Sequence, residues 1–179
     1  MADRSINKQM QAFARVDGAY LGLIWIISFS LFIMQYSDPI MGFLGMFVSV
    51  YSLAFAYKRL VKYRREVCGD VLNFFGAYVY IFFMFFYASI ILGIAQYIYF
   101  KFIDGGFLVN TYAQLTDSEE FKEAAKVYGM SIKDMDKVVK QLYNMRPVDI
   151  TWEILSMNVS VSFFLSIPMA LFARKNNTK

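Results

Sequence analysis

Glu153 is the acid of this chain best placed to do chemistry. It follows Asp149 by four residues, and at about 100° per residue it shares a helical face with Ser156 and Ser160. Two carboxyls one turn apart can act as an acid–base pair, and an ionisable group inside hydrocarbon is a functional hypothesis by default. Trp152 beside it also suits a water interface, where Glu153 would be a solvated marker. Asn158 and Gln96 are the other polar residues that could join it, lining a path between helices. Four-residue spacing of acids is also ordinary helix chemistry, so no residue is assigned as catalytic. With no His in the chain, the usual proton shuttle and the commonest metal ligand are missing, and neither a metal nor a cofactor is expected. The lone Cys68 cannot form an internal disulfide and reads as an incidental thiol.

A second constellation is electrostatic. Lys58, Arg59, Lys62, Arg64 and Arg65 form a compact basic loop after the second apolar stretch. Basic residues at a membrane surface attract anionic lipid by about 1 kcal/mol each, so these five are candidate anionic-lipid contacts as well as a topology signal. Engaged at a membrane face, they leave no surface for nucleic acid.

Apolar stretches must position these residues. The chain is 58% hydrophobic and 19% aromatic, with a mean hydropathy of +0.43. Stretches at about 16–36, 39–57, 74–100 and 148–173 are each close to or beyond the roughly 20 residues that span a bilayer. In hydrocarbon the backbone must satisfy its own hydrogen bonds, so these predict helices. The fold class expected is an all-α membrane protein, one polytopic domain with four transmembrane helices. A short amphipathic helical pair is expected between spans three and four, at 101–147.

Charge orients it. The N-terminus, the basic loop and the C-terminus sum to +7, and the other side sums to −3. Lys and Arg stay on the cytoplasmic side, which predicts both termini inside and 101–147 outside a bacterial inner membrane. Span one follows Arg4, Lys8 and Arg15, is longer than a signal core and lacks a cleavage site, so it reads as an uncleaved anchor. Asp17, at its inner end, reads as interfacial. Asn176-Asn177-Thr178 fits a glycosylation sequon on the wrong side of the membrane.

Small residues at helical spacing mark the packing seams: Ala14, Gly18 and Gly22; then Gly42, Gly45, Ser49, Ser52 and Ala56; then Ser89, Gly93 and Gln96. Span four has polar stripes on two sides, Glu153/Ser156/Ser160 and Thr151/Asn158/Ser162/Ser166, which predicts a central helix. Pro168 is expected to free a carbonyl near Phe164. In the outer segment, Thr116 and Glu119 form a capping box, Gly129 ends the first helix, and a second begins at Ser131.

The layout resembles the bacterial membrane family called domain of unknown function 4199, found mainly in Bacteroidota. The likeness lies in Gly18-Ala19-Tyr20-Leu21-Gly22, Tyr57-Lys58-Arg59, the wide outer segment and the closing Phe172-Ala173-Arg174-Lys175. It implies a four-span inner-membrane protein and carries over no activity or site residue. The leading reading is a non-enzymatic scaffold, assembly partner or regulator that associates with itself, with another membrane protein and with lipid. Behind it stands a small oligomeric transporter or lipid-handling protein using Glu153, Asn158 and Gln96. An enzyme acting on lipid-linked substrates, using Glu153 with Asp149, ranks last.

Overall fold

In a computed structural model, residues 2–129 and 131–175 are described. The sequon at 176–178 and Lys179 lie outside them. Among these residues seven α-helices follow one another: α1 (Ala2–Met34), α2 (Pro39–Glu66), α3 (Phe74–Ile98), α4 (Phe107–Asp117), α5 (Glu119–Val127), α6 (Ile132–Asn144) and α7 (Pro147–Ala173). A π-helical turn, Tyr99–Ile103, prolongs α3. Four of the helices are long and apolar enough to cross a membrane, namely α1, α2, α7 and α3 with its π-turn. The chain is a multi-pass helical membrane protein. Among the described residues there is no strand, only one isolated bridge between Leu72 and Lys175.

Two compact units divide the chain. One is Met1–Ala95 with Ile154–Lys179, and the other is Gln96–Glu153. In the first, α3 is the central helix: half of its apolar window is buried, against 17% for α2 and α7. The expectation that span four is central is therefore corrected. Its two polar stripes do not both meet neighbours. Thr151, Ser162 and Ser166 are buried, Asn158 is half-buried, and Glu153, Ser156 and Ser160 lie on the exposed side. Thr151, Ser160, Ser162 and Ser166 each donate to the carbonyl four residues earlier, at 2.6–2.9 Å. A hydroxyl bonded to its own helix needs no neighbour, and so a polar stripe can face outward.

The small-residue seams hold the unit together. A Cβ on Gly18 would stand 2.6 Å from the Met84 carbonyl oxygen, and one on Gly22 would stand 2.9 Å from the Ile91 Cβ. Helices approach this closely in a membrane because dispersion and polar contacts, not burial from water, drive their association. Polar bonds join α1 to α2: Trp25 Nε1 donates to Ser52 Oγ at 3.0 Å, and Ser28 Oγ donates to the Gly45 carbonyl at 3.0 Å and lies 2.7 Å from Ser49 Oγ. Against α3, α7 sets Phe163 edge-on to Tyr78 and Phe82 and contributes Ala170 and Ala173 to the core.

Two boundaries differ from expectation. The basic run is not a loop, because α2 continues through it to Glu66. Lys, Arg and Leu are good helix formers, and the helix ends at Glu66 with Val67 as its cap, ahead of a turn in which Gly69 and Asp70 have φ values of +61° and +62°. The outer pair is present as α5 and α6, with an additional helix, α4, which contacts both. Thr116 belongs to α4 and donates to the Ala113 carbonyl. The cap of α5 is Ser118, which accepts from Phe121 N at 3.3 Å. Gly129 ends α5 as expected, with φ +69°. Asp104 precedes α4 and accepts from the backbone N–H groups of Gly106 and Leu108. The Tyr143 hydroxyl on α6 donates to Asn110 on α4 at 2.8 Å.

Candidate functional site

The buried ionisable group of the first unit is Asp17. Its side chain is 3% exposed, and both carboxylate oxygens are engaged. Arg59 of α2 donates through Nε to Oδ1 at 2.6 Å and through Nη2 to the same oxygen, while the Tyr80 hydroxyl of α3 donates to Oδ2. One carboxylate thus ties three helices together. The reading of Asp17 as merely interfacial is corrected. The acid lies on the seam carrying Ala14, Gly18 and Leu21, all buried, which turns it inward rather than towards water. Tyr63 covers the cluster, stacking on Tyr80 with ring centroids 4.3 Å apart, and Phe13 tilts against Tyr63 at 5.8 Å. Removing one member of a buried pair leaves an uncompensated charge and costs about 3–5 kcal/mol, so the cluster acts as a lock.

A second cluster lies just beyond α2. Asp70 accepts from Arg64 Nε at 3.0 Å and from Lys175 Nζ. Arg64 also donates to the Ala173 carbonyl at 2.6 Å, satisfying an orphan acceptor at the end of α7. Leu72 and Lys175 exchange two backbone hydrogen bonds of 2.9 Å. The turn after α2 is thereby fastened to the end of α7. The hydrogen bond from Lys175 holds the Asp70 carboxyl below the usual carboxylate range; desolvation opposes it, and the charges of Lys175 and Arg64 with the Arg64 hydrogen bond reinforce it. Burial pushes the Cys68 thiol up, against a lowering hydrogen bond with Tyr63, which leaves less of it as the nucleophilic thiolate.

The five basic candidates separate into two groups. Arg59 and Arg64 turn inward to Asp17, Asp70 and the Ala173 carbonyl. Lys58, Lys62 and Arg65 are exposed, and Lys62 lies 3.8 Å from Glu66. The sequence reading places Asp17 at the interface and marks none of Asp17, Tyr80, Asp70 or Tyr63 as a functional residue. A signal existed: Asp17 and Arg59 each lie three residues beyond an Ala of their own helix's small-residue stripe, Ala14 and Ala56.

The two acids of α7 do not form a pair. Glu153 is on the exposed side of α7. Asp149 does not pair with it, because Arg146 grips Asp149 with Nε and Nη2 at 2.9 Å each and with its backbone N–H at 3.1 Å. Asn158 is half-buried in α7 of the first unit, whereas Gln96 belongs to the second. Gln96 is 4% exposed, and its Oε1 has no hydrogen-bond partner. Among the described residues, no group of three or more His, Cys, Asp or Glu is arranged to hold a metal ion.

Four helices long and apolar enough to span, three of them tied by a buried carboxylate, define a small polytopic helical membrane protein. Residues 17–175 match the family described as protein of unknown function (DUF4199), and the chain belongs to that family. No curated protein and no solved structure matches it.

Proposed function

We propose that this protein is a non-enzymatic scaffold, assembly partner or regulator of a bacterial inner membrane, with both termini in the cytoplasm and 101–147 outside. The observation that carries the reading is the engagement of both Asp17 oxygens by Arg59 and Tyr80. The strongest polar group within the spans works on helix association. The Trp25, Ser28, Ser49 and Ser52 bonds work the same way. The Gln96–Glu153 unit instead presents surface: Val127 and Tyr128 are 82% and 77% exposed beside the charged faces of α5. Exposed apolar residues rimmed by charge suit a protein partner. Orientation follows from the +7 against −3 partition, and Lys58 and Arg65 are free to face anionic lipid.

Native purification in mild detergent, with mass spectrometry of what accompanies the protein, tests this. A membrane protein or second copy retained in fixed stoichiometry is expected, and it should be lost on Val127→Asp/Tyr128→Asp. Recovery of the chain alone would overturn the scaffold reading. Topology is tested in a Cys68→Ser background: an impermeant thiol reagent should label a Cys at Asp134 on intact spheroplasts and spare one at Lys179.

A second reading, the small oligomeric transporter or lipid handler, is favoured by the unpartnered buried Oε1 of Gln96. Solute-dependent flux into proteoliposomes that Gln96→Leu abolishes would put it first.

A further inference from the structure

A cavity of about 70 Å³ opens at the basic end of the first unit, between α1, α2 and α3. Four charged side chains line it, two of each sign: Asp17 and Glu66 against Arg59 and Lys62. Its aromatic walls are Phe13, Tyr63 and Tyr80, the rings that cover the Asp17 lock. Glu66 is the last residue of α2, and Arg59 lies two turns deeper, about 10 Å at 1.5 Å per residue. The cavity therefore lies along the last two turns of a candidate membrane span, where a bilayer crossed by α2 would put its headgroups.

Charge selects the occupant. Asp17 already holds Arg59, and Lys62 stands beside Glu66 in a loose pair, 3.8 Å apart with both side chains more than half exposed. The lining charges cancel. An anionic headgroup would bring an unmatched charge up to two carboxylates, whereas a group carrying both signs finds a partner for each. An ammonium is drawn to a carboxylate and to aromatic faces. A phosphate is drawn to a lysine at the rim. We propose that this cavity binds the phosphoethanolamine headgroup of a zwitterionic phospholipid, its ammonium against Glu66 and the aromatic walls and its phosphate on Lys62. A trimethylammonium has no N–H to give Glu66 and fills more of so small a space, so choline lipids are disfavoured. The site follows from a cavity at the end of a span and stands whether or not the protein is a scaffold.

Native mass spectrometry of the full-length protein tests the assignment, with ethanolamine, glycerol and choline phospholipids of identical acyl chains offered in equal amounts. The ethanolamine lipid should be retained about tenfold over each of the others, the size of effect expected of one charge-assisted hydrogen bond. Glu66→Gln should bring the three to near parity, and Lys62→Gln should weaken the retention of all three. Lys58→Gln, the same charge change outside the cavity, should leave the preference unaltered. Both Glu66 and Lys62 are largely exposed, so these variants keep the fold, and matching thermal unfolding checks this. Equal or stronger retention of the glycerol lipid by the natural chain, or a preference that survives Glu66→Gln, would overturn the proposal. Soluble phosphoethanolamine separates the sources of the same chemistry. Displacement of lipid identifies a headgroup ligand, and a preserved preference without displacement identifies the membrane lipid.

Discussion

Asp17 and Glu153 are both acids on membrane-spanning helices, and their surroundings are opposite. Asp17 is enclosed by α1, α2 and α3, with an arginine and a tyrosine on its two oxygens. Glu153 stands on the exposed side of α7, and its neighbour Asp149 is held by Arg146. The difference teaches that a charge in a helix is placed by the face it shares, not by its distance from the helix end. Asp17 shares its face with Ala14, Gly18 and Leu21, residues that admit or meet another helix. Glu153 shares its face with Ser156 and Ser160, whose exposure leaves them facing outward; the Ser160 hydroxyl closes on its own helix.

The largest effect expected from breaking this contrast is at Arg59. Arg59→Ala leaves Asp17 buried without its cation and should cost about 3–5 kcal/mol. Asp17→Ala should cost less, because the Arg59 side chain is 28% exposed and can turn its charge to water. The double variant Asp17→Leu/Arg59→Met removes both charges and should recover most of the loss. Unfolding in detergent, read through a double-mutant cycle, measures all three. Equal stability of the two single variants and the parent would show that the pair does not hold the helices.

Next comes the seam that carries Asp17. Gly18→Val puts atoms onto the Met84 carbonyl and the Tyr87 Cβ, where even a Cβ alone has 2.6–2.8 Å. Backbone cannot give way as a flexible side chain would, so α1 must move off α3. Overpacking of this kind costs typically 1–3 kcal/mol, and the shift should also loosen the Asp17–Tyr80 contact. Cross-linking between Cys pairs placed on α1 and α3 would report it. An unchanged pattern would mean the two helices do not rest on Gly18.

The seams were legible in the sequence because a small residue every three or four positions has few other uses in a membrane helix. Gly18, Gly22, Gly45 and Ser52 all lie where that spacing puts them. The lock was not legible, because its three parts are 42 and 63 residues apart in the chain, and alone Asp17 reads as interfacial, Arg59 as one of a basic cluster and Tyr80 as apolar filling. Reading the stripes beyond their small residues would have found two of the three. α4 was missed for another reason: neither a small-residue stripe nor a capping box marks its start, where Asp104 accepts from the backbone N–H groups of Gly106 and Leu108. The inward turn of Arg59 and Arg64 was hidden because a basic run reads as a loop, whereas on a helix successive residues turn by about 100°, so one run meets both the neighbouring helices and the outside.

At the second cluster the effect is smaller and depends on pH. Asp70 has a folded pKa below its unfolded value, so the unfolded chain takes up the proton first. Its contribution is therefore fully present above about pH 4, the ordinary carboxylate range, and is lost as pH falls through the lower folded value. Exchange protection at Leu72 and at the Ala173 end of α7, taken relative to the intrinsic amide rate at each pH, should fall below about pH 4 in the natural chain. Asp70→Asn tolerates the positive φ and should exchange quickly at every pH. A natural chain whose exchange protection there is flat across this range would detach Asp70 from the fastening of α7.

The smallest effect is expected at Glu153, and it tests the contrast from the other side. Glu153 is exposed, sits one turn from a carboxylate already paired, and has no hydrogen bond of its own among the described residues. Surface substitutions away from caps, cores and networks stay within about 0.5 kcal/mol, so Glu153→Gln and Glu153→Ala should unfold with the parent. Glu153→Gln keeps shape and hydrogen bonding while deleting charge, and so it separates a structural part from a recognition part. If a partner or lipid copurifies less with Glu153→Gln at unchanged stability, Glu153 works outward, as its exposure allows. If stability itself falls by more than about 1 kcal/mol, well outside the range for such sites, the acid is buried in the membrane-embedded protein. The opposition between Asp17 and Glu153 would then fail.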